Sequence, residues 1–304
     1  MDLERWAELS AAIGAVQRQV PHNPRDAHPT ALVVRVHLWA VLHDRPASWA
    51  CDPRNWADRT RPPALPDQST LSRRTRRADF EPFLERLGRR LGGGGGGGAV
   101  GLARVVDGKP LELPNHTADR DAAWGRGVSR LSVGYKLHAD WTPGRPMPDA
   151  FAITPLDRCE KRMAYRMVKG LGGAGGGGDL GYLLGDAHYD ASWLFDACRG
   201  YGLRLLCPRA RPGTGLGHHY QAPDRLRAIE LLEPPPGATN GFGPSLYRLR
   251  TDAERQFAGL VAFGGGLAGL PAWVRRIWRV RHWVWGKLLV NAARIRINNR
   301  TCAA

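Results

Sequence analysis

Hydrophobic positions along the chain switch their spacing at a glycine tract. Over residues 1–91 they recur at helical intervals. Thr30 precedes Ala31-Leu-Val-Val-Arg-Val-His-Leu-Trp-Ala-Val-Leu42, a buried-helix pattern that stops before Pro46. A turn, Arg61-Pro-Pro-Ala-Leu-Pro66, leads into Asp67-Gln-Ser-Thr-Leu-Ser-Arg-Arg74, where Asp67 or Ser69 can cap a further helix. The unbroken glycine tract 92–98 reads as a linker. Beyond it the pattern becomes that of strands. Residues 100–106 predict a strand ending at Asp107 and turning at Gly108; 131–140 and 150–154 predict the next two, joined by the turn Thr142-Pro-Gly-Arg-Pro146. A helix over 158–171, a glycine-rich tract at 172–178, a short buried strand over 180–184 ending at Asp186, a helix over 191–201 and a strand over 203–207 follow. Residues 208–246, rich in Pro and Gly, read as a small insert; helix returns over 246–260. The stretch 271–297 places Trp273, Ile277, Val280, Val284, Leu288, Ala292 and Ile295 on one helical face. The expectation is a small all-α domain (1–91), the linker, and a mixed α/β domain (99–304). Its central mixed sheet is flanked by helices, and its first and fourth strands lie side by side.

Composition adds a partner to this picture. Hydrophobic residues make up 43%, enough for a packed core and against general disorder. The net charge of +16 points to a polyanion. Five of the 44 basic residues are Lys, which leaves 39 Arg, whose planar fork suits phosphate and guanine edges. Codon bias accounts for part of the Arg excess but not for the net charge. Cys51, Cys159, Cys198, Cys207 and Cys302 are scattered, with no C-x-x-C pair, and read as reduced thiols of a cytosolic protein. The first residues lack the apolar stretch of a signal peptide, and no uncharged apolar run approaches the ~18 residues of a membrane span.

Three acids carry the candidate chemistry. Asp107 and Asp186 at strand ends, with Glu254 on a helix, can hold a pair of hard divalent cations that activate water against a phosphodiester. Taken singly, each Asp reads as a turn cap. Tyr247, Arg250 and Glu254, three and four positions apart, form one stripe if they share a helix. Arg250 and Tyr247 would then reach phosphate oxygens or sugar. The structural alternative is an Arg250–Glu254 ion pair worth only ~0.3–0.5 kcal/mol. Arg73 and Arg74, in the helix entered at Asp67, are candidate DNA contacts, against the reading of a solvated helix face. After Glu254 no acidic residue occurs, yet nine Arg or Lys do, among them Arg255, Arg275 and Arg276. This tail reads as a DNA-facing surface, or else as a helix packed through its Trp residues. His188 and Asp190 read as a cap and surface pair, His138 as packed or hydrogen-bonded near the sheet, and His218-His219 as loop. Neither glycine tract resembles a phosphate-cradling loop.

These residues together resemble the insertion-sequence DDE transposases, in the branch whose third acid lies in a Y-x2-R-x3-E-x6-K signature. Tyr247, Arg250 and Glu254 match its first three positions. Gly134-Tyr-Lys-Leu-His138 resembles the family's second strand and Ile153-Thr-Pro155 the close of its third. Asp186-Ala-His-Tyr-Asp190 resembles its second-acid segment, and Leu65-Pro-Asp-Gln-Ser-Thr-Leu-Ser-Arg-Arg74 its N-terminal region. The likeness covers roughly residues 30–300. It implies a ribonuclease-H-like catalytic domain in which Asp107, Asp186 and Glu254 hold two Mg²⁺ ions, with Mn²⁺ able to substitute. It also implies cleavage and strand transfer of DNA, contacts to terminal inverted repeats and target DNA, a homodimer on DNA, and a cytoplasmic, nucleoid-associated location. The signature departs at its last position, where Val261 stands in place of Lys, and Gly264-Gly-Gly266 interrupts the following helix. Two alternatives stand beside the transposase: a DNA-binding relic without activity, and a nuclease that cuts without joining.

Overall fold

The computed structural model describes residues 2–20, 23–93, 103–114, 118–172, 181–233, 241–263, 266–267 and 269–303. In chain order the elements are α1 Asp2–Gln17, α2 Thr30–Leu42, α3 Ala47–Ala50, α4 Gln68–Arg74, α5 Phe80–Leu91, β1 Ala103–Glu112, β2 Ala123–Arg126, β3 Leu131–Trp141, β4 Ala150–Pro155, α6 Glu160–Gly172, β5 Gly181–Leu184, α7 Ser192–Gly200, β6 Leu203–Leu206, α8 Pro223–Leu232, α9 Phe242–Arg248, α10 Thr251–Val261 and α11 Ile277–Ala303. Of the expected features, linker residues 94–98, strand residues 100–102, the glycines of 173–178, Leu180 and residues 264–265 lie outside the described residues. The chain divides into two compact units. One joins Met1–Gly95, His116–Asp119 and Gly259–Ala304; the other joins Gly96–Asn115 and Arg120–Ala258.

The helical unit is built around α11. The sequence reading grouped this helix with the sheet and gave it one buried face. In the structure every residue from 282 to 293 is buried, on all sides of the helix, so the segment needs covering all round. Helices α1, α2 and α5 supply that cover. Lys287, 1% exposed, survives there because its ammonium donates to the Val41 carbonyl (2.9 Å) and to Asp44 Oδ1 (2.6 Å). A second cluster packs Trp6, Trp39 and Trp56 with ring centroids 4.5–5.7 Å apart, each such pair adding ~0.5–1.5 kcal/mol beyond its buried area. Trp39 and Trp56 place their indole N–H groups on the carbonyls of Asn55 and Ala50. The helix expected over 271–297 begins only at Ile277, after Arg276 takes a left-handed backbone (φ 76°).

The sheet unit is mixed α/β. Its strands run β2-β3-β1-β5-β6, with β4 also on β3. Strand β1 lies antiparallel to β3 from Val105↔Trp141 to Glu112↔Gly134, and parallel to β5 from Ala103↔Tyr182 to Val105↔Leu184. β5 and β6 are parallel. The outer edge of β3 is shared: β2 takes its first residues and β4 the stretch from Tyr135 to Asp140. Helix α6 packs on β1, β3 and β4, while α7 and α8 pack on β6.

Two strands of this unit depart from the expectation. β1 does not end at Asp107: β3 is long enough to keep pairing it as far as Glu112, so Gly108 faces His138 across the ladder and makes no turn. Strand β2 has no clear sequence signal, because Ala123-Trp-Gly-Arg126 is four residues long and includes a glycine. The segment 208–246 contributes α8 and the start of α9 to the described residues. All five cysteines are free thiols. Among the described residues no helix is long and apolar enough to cross a membrane.

Candidate active site at the end of the parallel strands

Strand register positions the two aspartates. Val105 and Leu184 are the last paired residues of β1 and β5, and Asp107 and Asp186 each follow two positions later. β1 continues upward on β3 while β5 stops, so Asp107 sits on an edge that β5 has left open, beside the turn carrying Asp186. That turn is short and fully defined. Asp186 caps the 3₁₀ turn Ala187–Tyr189, accepting the His188 backbone N–H at Oδ1 (2.8 Å), while Oδ2 lies 3.1 Å from His188 Nδ1. Asp107 Oδ1 accepts the Gly108 N–H at 2.8 Å. Asp186 therefore has the turn cap expected of it singly, whereas Asp107 lies within a strand and bonds only its next N–H; the sheet brings the two together all the same.

Gly185 makes the arrangement compact. A Cβ there would come within 2.7 Å of the Tyr189 ring, so only glycine lets that ring fold back over the strand end. Tyr189 is fully buried, and its hydroxyl has no hydrogen-bond partner among the described residues. Burial, then the nearby Glu160, Asp107 and Asp186, raise its phenol well above the ordinary range against the pull of Arg250. Glu160 opens α6 and lies over Gly108, where a Cβ would meet its carboxyl carbon at 3.1 Å. Its Oε1 accepts from Lys136 Nζ at 2.7 Å. The sequence reading assigned no role to Lys136, Glu160 or Tyr189. Lys136 is detectable as the one Lys or Arg of β3, set between Tyr135 and Leu137, and Glu160 as the acid in the first turn after the third expected strand.

Arg250 is the counter-charge. The expected single helix carrying Tyr247, Arg250 and Glu254 is in fact two, α9 ending at Arg248 and α10 starting at Thr251, with Arg250 in the turn between. Thr251 Oγ1 donates to the Arg248 carbonyl (2.7 Å) at this break. Burial works against the Arg250 charge, but Tyr247, Glu254, Asp107 and Asp186 outweigh it and raise its pKa. Asp107 is pushed up to about 6. Burial is the main cause, and Asp186 and Glu160 add to it, opposed by the Gly108 N–H and by Arg250.

The remaining site candidates separate into two kinds. Glu254 pairs with Arg250 at 2.9 Å and is half exposed, which is the ion-pair alternative read from the sequence. The Tyr247 hydroxyl donates to the Gly185 carbonyl (3.2 Å), tying α9 to the end of β5. Among the described residues no three His, Cys, Asp or Glu side chains form a group able to hold a metal ion. In the helical unit Arg73 is exposed, whereas Arg74 is buried. It pairs with Asp26 (2.9 Å) and Asp79 (3.5 Å), which removes it from the candidate DNA contacts. Asp67, not Ser69, caps α4 through the Thr70 N–H (2.7 Å). Arg275 is exposed and donates to the Ala118 carbonyl (3.4 Å); the Arg276 backbone N–H binds Asp119 (2.7 Å). Arg255 is exposed and pairs with Asp252 (2.8 Å). The acid-free tail is less open than its composition suggests. Arg281 pairs with Glu81, Arg296 and Arg300 both pair with Glu8, and Arg294 donates to Asn291. His138 is buried on Thr154 Oγ1 (2.9 Å), and Asp190 receives Arg225 and the Ala210 N–H. No family model, curated protein or solved structure matches the chain.

Proposed function

We propose that the chain is a DNA transposase of the DDE type, which cleaves phosphodiester bonds at the ends of its element and joins the freed 3′-hydroxyl to target DNA. The observation that carries this reading is the juxtaposition of Asp107 and Asp186 beyond the paired ends of adjacent parallel strands, with Arg250 within electrostatic reach of both. The strand order supports a ribonuclease-H-like fold: three antiparallel strands, β4-β3-β1, continue into two parallel ones, β5-β6. A net charge of +16 supports a nucleic-acid substrate.

Mg²⁺ or Mn²⁺ fits the donor chemistry of the two aspartates, which present hard carboxylate oxygens. Crowding of Asp107 by Asp186 and Glu160 is the kind of repulsion that a divalent cation relieves. Asp107 and Asp186 would hold the cation, which when bound supplies charge to activate an oxygen nucleophile. Arg250 is placed to neutralise charge growing on the phosphate oxygens. Tyr247 fixes the turn that carries Arg250, through its bond to Gly185. Glu254, the half-exposed member of its pair with Arg250, joins the two aspartates only by exchanging that partner. Terminal inverted repeats, target DNA and a homodimer on DNA belong to the same reading.

A second reading, a DNA-binding relic, is favoured by the Arg250–Glu254 pair and by Val261 in place of the signature Lys. One assay separates these readings. End-labelled DNA from the boundaries of the encoding element is incubated with Mg²⁺ and either the natural chain or Asp186→Asn. The transposase gives nicked and joined product that disappears in Asp186→Asn. Cut product without joining indicates a nuclease, and retention without cutting indicates the relic. Equal nicking by the two chains removes Asp186 from the chemistry and refutes the proposal.

A further inference from the structure

The most exposed large hydrophobic side chains of the sheet unit lie together on one hairpin. Trp124 is 71% exposed, Val128 79% and Leu131 72%. Register puts Arg126 opposite Leu131 and Trp124 opposite Val133, so Trp124, Arg126 and Leu131 share the outward face, with Val128 and exposed Arg130 at the tip. No acidic residue occurs between Asp121 and Asp140, whereas Arg126, Arg130 and Lys136 do.

This hairpin is held firmly. The Gly127 N–H donates to the Arg130 carbonyl (2.8 Å), and the Val128 N–H donates to Glu112 Oε1 (2.6 Å). A Cβ on Gly127 would fall 2.1 Å from that Glu112 oxygen, and one on Gly125 would fall 2.7 Å from the Leu156 carbonyl. At the base, the Leu156 N–H donates to the Gly134 carbonyl (3.1 Å). A stiff support that keeps three large apolar groups in water, each flanked by arginine, marks an interaction surface. The charge selects a polyanion as partner. Three side chains also fall well short of the roughly 800 Å² per partner that a stable protein dimer buries, and the core of such an interface is depleted in charge.

Resting on the nucleic-acid reading above, we propose that the β2–β3 hairpin is a DNA wedge. Val128, Leu131 and Trp124 enter the minor groove against a base step and unstack it, while Arg126 and Arg130 hold the flanking phosphates. Apolar wedges of this kind kink duplex DNA by roughly 20–90°. The proposal adds a bending surface distinct from the carboxylate site.

The test uses the full chain and a duplex with a 2-aminopurine beside a central T-A step and a donor–acceptor dye pair at its ends. The natural chain is expected to raise 2-aminopurine emission severalfold and to shorten the end-to-end distance. The triple variant Trp124→Ser, Val128→Ser, Leu131→Ser should lose both signals while binding within about tenfold. The double variant Arg126→Gln, Arg130→Gln should bind more weakly and flatten the salt dependence by about two in log–log slope. Asp186→Asn should keep both signals whether or not the natural chain cuts DNA, so a failure of the catalytic reading does not touch this one. Binding by the natural chain without unstacking or bending overturns the wedge and leaves DNA binding intact. Absence of binding overturns both. If the triple variant instead converts a DNA-free dimer to monomer in sedimentation, the hairpin is a self-association face and the proposal is wrong.

Discussion

Replacing Asp107 by Asn should stabilise the fold at neutral pH. Burial lifts this carboxyl from its ordinary 3.8 to about 6, with Asp186 and Glu160 adding to the effect. At ~1.4 kcal/mol for each tenfold change in proton affinity, that rise corresponds to roughly 3 kcal/mol, and solvent reaching the partly exposed group reduces it to about 2. Because the folded-state value is the higher one, the carboxyl favours the fold fully below pH 3.8. That contribution is lost as pH rises through about 6, where the native state must hold a crowded charge. Asn keeps an oxygen for the Gly108 N–H and carries no charge. In chelator-treated buffer at pH 8, Asp107→Asn should therefore gain about 2 kcal/mol over the natural chain, and the gain should vanish at pH 3.5. Hydrogen exchange of the β1 amides across a urea series reads this unit separately from the helical one. A variant no more stable than the natural chain at pH 8, or a gain that persists unchanged at pH 3.5, would refute the cost of burying a charge at Asp107.

Other expectations follow from single contacts. Tyr189→Phe removes a buried hydroxyl with no partner among the described residues and should stabilise by ~1 kcal/mol in urea denaturation; a loss above that size would reveal a hidden bond. Lys287→Ala should destabilise the helical unit by ~3 kcal/mol, because Asp44 and the Val41 carbonyl lose their donor, and Lys287→Met should cost less; equal melting of all three chains would contradict this. Arg74→Ala should lower the melting temperature clearly, while Arg73→Ala changes stability by less than ~0.5 kcal/mol; the reverse ranking in thermal melts would overturn their assignment to interior and surface.

Apart from β2, the order of strands was legible because each carries its own period, and adjacent parallel strands put Asp107 and Asp186 together. What escaped depends on partners distant in sequence. Asp107 reads as a strand end because Gly108 and Pro110 follow it, but β3 supplies the pairing that extends β1. The break at Arg250 is marked only by Thr251-Asp-Ala-Glu254, the pattern of a helix start inside a stretch read as one helix. The arginines of the tail read as free because Glu8 and Glu81, which take Arg296, Arg300 and Arg281, lie some two hundred residues or more earlier. Arg73 and Arg74 are neighbours with one composition and opposite fates, set by Asp26 and Asp79 on other segments. Glu160 is a common helix-start acid until the sheet carries Gly108 beneath it.

Because the helical unit is assembled from segments on either side of the sheet unit in sequence, it cannot finish folding during synthesis until α11 has left the ribosome. The first five helices must wait, with the surface meant for α11 uncovered, while the whole sheet unit emerges and folds between them. Premature termination anywhere before residue 277 would therefore damage the helical unit more than the sheet unit. Such a fragment should be captured by chaperones through residues 2–91, whose apolar surface α11 would otherwise cover.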